Sequence, residues 1–137
     1  MSDLSRFKEM EPPLLPKSGI PTEHEEQRAF VAMFRKCFDE RIFAIPNGGY
    51  RGKREAGRLK SEGVSPGVPD LYIPAWGLWI EMKRQRGGRV DEAQKDWHEY
   101  LGGIGHNVKI CKGAEEARIA VINYLKPKRG EGYEKES

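Results

Sequence analysis

The chain is poor in cysteine, with two in 137 residues. Cys37 and Cys111 stand far apart and belong to no paired motif. That excludes a disulfide scaffold and fits reduced thiols in a cytoplasm, whether of a bacterium or of a phage-infected host. There is no apolar run of the length that crosses a bilayer, and the N-terminus has no apolar stretch of the secretory kind. The three histidines, His24, His98 and His106, are too scattered for zinc spacing and read as surface residues. A glycine-rich phosphate cradle and a nucleophile elbow are also missing, which argues against a small-metabolite enzyme and an organic cofactor. Net charge is modest: 24 Lys and Arg against 21 Asp and Glu give +3. The total therefore does not single out a nucleic-acid partner, and local clustering has to decide.

What is present is charge, at 33%, beside 37% apolar residues. That composition suits one polar domain. Residues 1–20 contain Pro12, Pro13 and Pro16 without periodicity and are expected to be a flexible arm. Residues 21–125 are expected to form the domain. Residues 126–137, rich in Lys, Glu and Gly, are expected to be a disordered tail. Within the domain, Thr22 and Glu25 form a capping box, and Phe30, Val31, Phe34 and Phe38 follow at helical spacing. Ile42 to Ile45 reads as a short strand stopped by Pro46. Arg51 to Lys60 reads as a basic loop or a weak helix. Asp70 to Ile73 and Leu78 to Lys83 read as a hairpin turned by Ala75-Trp76-Gly77. Asp91 and Gln94 open a second capped helix, which Gly102-Gly103 ends. Asn107 to Cys111 alternates as a strand, with Val108 and Ile110 on its apolar face. Ala114 to Leu125 closes the domain as a helix. The order is α-β-β-β-α-β-α.

The chemistry concentrates in Asp70, Glu81 and Lys83. Alternation along a strand puts Trp79, Glu81 and Lys83 on one face, opposite Leu78, Ile80 and Met82. Asp70 opens the preceding strand, so a bent hairpin would bring its carboxylate to Glu81. A hard divalent cation takes one or two protein carboxylates together with water and phosphate oxygens. Lys83 could hold the attacking water or stabilise charge growing on the phosphate. Two adjacent carboxylates repel and resist joint ionisation without a cation. Charged residues at strand ends are also common without any function, so the setting matters.

That setting is Pro66-Gly67-Val68-Pro69-Asp70-Leu71, then Trp79-Ile80-Glu81-Met82-Lys83, then Gln94 with Trp97 and Leu101. The combination resembles the virus-type replication-repair nuclease (VRR-NUC) family of the PD-(D/E)XK superfamily, over about residues 22–125. The resemblance implies an α/β fold with a restriction-endonuclease-like α-β-β-β-α-β core, its mixed sheet flanked by helices. It implies Mg²⁺ or Mn²⁺ on Asp70, Glu81 and the Met82 carbonyl, with Lys83 as the catalytic lysine. Methionine between Glu81 and Lys83 departs from the usual aliphatic residue. The resemblance also implies a glutamate on the first helix. Glu23 and Glu26 both qualify, and Glu26, one turn before Phe30, is preferred. Gln94 matches the helix glutamine expected to face the site, although a plain capping box explains it too.

Asn47, Gly48 and Gly49, followed by Arg51, Lys53, Arg54, Arg58 and Lys60, suit contacts to a phosphate backbone, and Arg84 and Arg86 follow the catalytic strand. The expected function is a structure-selective DNA endonuclease acting on branched or duplex DNA. A homodimer resolving four-way (Holliday) junctions is the leading form, with exposed Trp76 and Trp79 as a dimer surface. A monomeric nuclease of flaps, nicks or single strands is one alternative. A non-catalytic DNA-binding module is another.

Overall fold

The computed structural model describes residue 15, residues 19–46 and residues 52–126. The expected arm, except for residues 15, 19 and 20, the expected tail, except for residue 126, and residues Asn47 to Arg51 lie outside them. Among the described residues nine elements follow in order: helix α1 (Glu23–Cys37), strand β1 (Phe43–Ala44), helix α2 (Lys53–Ser61), strand β2 (Leu71–Ile73), a 3-10 turn (Pro74–Trp76), strand β3 (Leu78–Lys83), helix α3 (Glu92–Gly103), strand β4 (Asn107–Lys112) and helix α4 (Ala114–Leu125). The sheet runs β1-β2-β3-β4. The first two pairings are antiparallel and β3–β4 is parallel. The parallel pair needs a crossover, and α3 supplies it.

Both capping boxes form. Thr22 accepts from the Glu25 amide while Glu25 reaches back, and Asp91 does the same with Gln94. Each satisfies two amides that a helix start leaves without partners. The hairpin between β2 and β3 turns through Pro74–Trp76 and a left-handed Gly77 (φ 56°).

Helices α1 and α4 cover one sheet face. Phe30, Phe34, Leu71, Ile73, Leu78, Ile80, Met82 and Val121 are fully buried there. Trp76 joins this core rather than forming an exposed dimer surface: its ring meets Phe34 and Phe38 edge-on and stacks on Tyr124. On β4 the inward residue is Cys111, and Ile110 is 46% exposed, the reverse of the expected apolar face. The register explains this. Cys111 pairs with Met82, whose face α1 and α4 bury, and Ile110 pairs with Glu81 on the opposite face. Trp97 is half-buried against the exposed Tyr100 rather than in the core.

The basic stretch is a helix, α2, with none of its residues buried.

Candidate active site

The opposite face of β3 carries the site. Trp79, Glu81 and Lys83 project there, and α3 covers the last two. β2 is short. It starts at Leu71, paired with Ile80, whereas β3 continues to Lys83. The Met82 amide on that edge would therefore have no strand partner. Asp70 supplies one, since its Oδ2 accepts from Met82 N at 2.6 Å. Asp70 is itself pinned by its carbonyl, which accepts from Ile45 N at 2.8 Å. A strand residue's N–H and C=O point to the same edge, so the Met82 carbonyl shares the edge that Asp70 enters.

Glu81 is fully buried. Its Oε2 accepts from Gln94 Nε2 at 3.2 Å, and its Oε1 lies 3.2 Å from His98 Nε2. Burial pushes its carboxyl up to about 9, with the hydrogen bond and charge of Asp70 acting in the same direction and Lys83 opposing. Lys83 is 7% exposed, and its Nζ donates to Gln94 Oε1 at 2.9 Å. Gln94 thus does both things expected of it: the oxygen that closes the capping box on Asp91 N also receives Lys83, and its amide nitrogen holds Glu81.

Helix α1 delivers a third carboxylate, but it is not Glu26. Glu26 is fully buried under the start of α4, accepting from Ala114 N at 2.9 Å and from Gln85 Nε2 at 2.7 Å. There it neutralises a helix N-terminus. Glu23, half-buried, is the residue that feels the pair. Its carboxyl is raised by burial first and then by the charge of Asp70, and Lys83 and His24 draw it down. The periodicity favoured Glu26 because that side faces the core, and the core side turned out to be the α4 junction. His98, read as a surface residue, is instead half-buried against Glu81, and desolvation followed by the charge of Lys83 lowers its pKa. It lies one helical turn past Gln94, and that spacing was the available signal.

Among the described residues, no group of three or more His, Cys, Asp or Glu is placed to hold a metal by itself. The donors present are two facing carboxylates and a backbone carbonyl, which leaves most of a coordination shell to water and phosphate.

Comparison with known proteins gives a partial answer. No family model and no curated protein matches the chain. A solved structure described as a VRR_NUC domain protein does match, with a TM-score of 0.65 and 28% identity over 79% of this chain and 90% of that one. The chain has a VRR_NUC-like fold. Its mixed four-stranded sheet flanked by helices accords with a restriction-endonuclease-like core.

Around this VRR_NUC-like core, Lys53, Arg54 and Lys60 are exposed on α2. Arg58 is occupied, with Nη1 3.1 Å from Glu62 and Nη2 4.0 Å from Glu55. Arg84 and Arg86 are exposed immediately beyond Lys83. Asn47 and Arg51 lie outside the described residues.

Proposed function

We propose that the chain is a metal-dependent, structure-selective DNA endonuclease of the PD-(D/E)XK type, hydrolysing phosphodiester bonds. The observation that carries this reading is the buried Glu81 held against Asp70. Burial and Asp70 raise the Glu81 carboxyl to about 9 even with Lys83 opposing, and carboxylate oxygens are what a hard divalent ion takes. The likeness to a VRR_NUC domain protein supports a nuclease.

Asp70, Glu81 and the Met82 carbonyl would hold Mg²⁺ or Mn²⁺. When bound, such an ion supplies Lewis-acid polarisation of the phosphate and a more acidic water. The protein's own groups do the rest. Gln94 fixes the Lys83 ammonium, which places positive charge where a phosphate oxygen gains negative charge as water attacks phosphorus and one P–O ester bond breaks. Glu23, which feels the charges of Asp70 and Lys83, would orient water beside them. Exposed Lys53, Arg54, Lys60, Arg84 and Arg86 provide phosphate contacts that position DNA without reading its sequence. A homodimer resolving four-way junctions remains the leading form, because two such sites related by a two-fold axis match a symmetric junction.

The test uses labelled four-way junction, flap and linear duplex, each with Mg²⁺ or Mn²⁺, and compares the native chain with Asp70→Ala and Lys83→Ala. Branched DNA is expected to be cut. Either substitution should lower the rate about 10²–10³-fold while binding persists. Variants that cut as well as native protein overturn the assignment. Binding without cleavage under every condition favours the non-catalytic module. Light scattering on the junction complex separates a dimer from the monomeric flap nuclease.

A further inference from the structure

A groove of about 480 Å³ runs between the outer side of α1 and the β1 edge. Its wall on α1 carries His24, Arg28 and Arg35, and its floor is Ala44 and Leu71. No acidic side chain lines it. Arg28 and Arg35 are seven residues apart, two helical turns, so both project from one side of α1 with their Cα atoms about 10 Å apart. Among the described residues neither pairs with a carboxylate. Arg35 is steadied by donating from Nη2 to the Ile42 carbonyl at 3.3 Å, which leaves its other N–H groups for a ligand.

The groove begins at His24, next in sequence to Glu23, the carboxylate that feels the charges of Asp70 and Lys83. Beyond Arg35 the groove adjoins a second depression whose lining mixes Arg35 and Arg41 with Asp39 and Glu40.

We propose that this groove binds the phosphates of a single unpaired DNA strand as it leaves the cutting site, through Arg28 and Arg35. The direction of the strand rests on the nuclease reading above, whereas the binding itself does not. Charge selects a polyanion. Size favours a single strand, since a groove of about 480 Å³ is of small-ligand dimensions. With their Cα atoms about 10 Å apart on one side of α1, the two long side chains can each engage a different phosphate of the same strand. The groove thus favours DNA in which an unpaired tail begins at the cut.

The test measures binding by fluorescence anisotropy in EDTA, where no cutting occurs. It compares a duplex carrying an unpaired DNA tail with the same duplex made blunt. Arg28→Gln combined with Arg35→Gln should weaken tailed-DNA binding about tenfold at low salt. It should flatten the log–log salt slope by about 1.4, from two lost phosphates on a single strand, and change blunt-duplex binding less than twofold. The unchanged melting temperature of the double variant confirms that the fold persists. Arg28→Lys combined with Arg35→Lys should restore most of the tail dependence. The proposal is overturned if the Gln variant binds tailed DNA within twofold of native protein. Equal losses on tailed and blunt DNA overturn it as well, and so does stronger dependence on an RNA tail than on a DNA tail. Cleavage with Mn²⁺ is scored separately. Tail-dependent binding with no cutting of any DNA removes the nuclease reading and leaves the groove. Cutting with no tail dependence removes the groove and leaves the nuclease.

Discussion

Two glutamates three residues apart on α1 have different surroundings, Glu26 at the start of α4 and Glu23 beside the proposed site, and substitution should separate them. Glu26 accepts from the α4 start and from Gln85 in a fully buried position. Glu26→Ala strands the Ala114 amide and removes a buried cap, which should cost about 2 kcal/mol or more and show as a clear fall in melting temperature. Glu23 is half-buried beside Asp70, and Glu23→Gln should leave the melting temperature nearly unchanged while cleavage falls. Equal behaviour of the two variants in both assays would remove this division. Neither role was readable from the sequence. Helical periodicity reports which side of α1 faces inward, not whether that side meets a sheet edge or another helix's N-terminus. His98 escaped for the same reason, because its partner Glu81 is 17 residues away and only the packing of α3 onto β3 brings them together.

At the level of elements, what the sequence shows well is what neighbouring residues decide. β3 and α4 fall where alternation and helical spacing put them, and both capping boxes form because their partners sit three residues apart. α2 is different. Two glycines flank or interrupt it, and its residues are so polar that it buries nothing and lacks the apolar stripe that marks a packed helix. The Pro66-Gly67 turn has a consequence beyond its own shape. Gly67 has φ +93°, and a Cβ there would lie 2.5 Å from the Ala93 carbonyl carbon and oxygen. Only glycine lets this turn press against the first turn of α3, where Gln94 begins its contacts. Gly67→Ala combines a left-handed backbone with a clash against main chain, and should destabilise by about 2–4 kcal/mol. Chemical denaturation gives the value, and a loss under 1 kcal/mol would mean that the turn is free to move away.

For the whole molecule, the site is a standing cost in the metal-free state. Burial and Asp70 raise Glu81 to about 9, far above its value in an unfolded chain, so the folded protein holds a proton that the unfolded protein releases. Stability from that proton is complete below the unfolded value near 4.5 and is lost as pH rises toward about 9. In EDTA, native protein should therefore weaken relative to Glu81→Gln as pH rises from 5 to 9, whereas saturating Mn²⁺ should reverse the trend by favouring the ionised pair. Thermal melts across that range check it, and parallel curves for the two proteins without metal would contradict it. The order of elements was legible because spacing sets it, whereas the mixed sheet between helices and the carboxylates at its edge were what the family resemblance implied. The short β2 that leaves the Met82 amide for Asp70 was not legible, since strand length depends on where the turn at residues 65–69 releases the chain.

Gln94 seals the opening turn of α3 with the same oxygen that receives Lys83. Fraying of that turn would release the lysine together with the helix end, so amide exchange at Gln94 and Lys95 should report, in the resting protein, the fraction of molecules whose centre is momentarily disassembled.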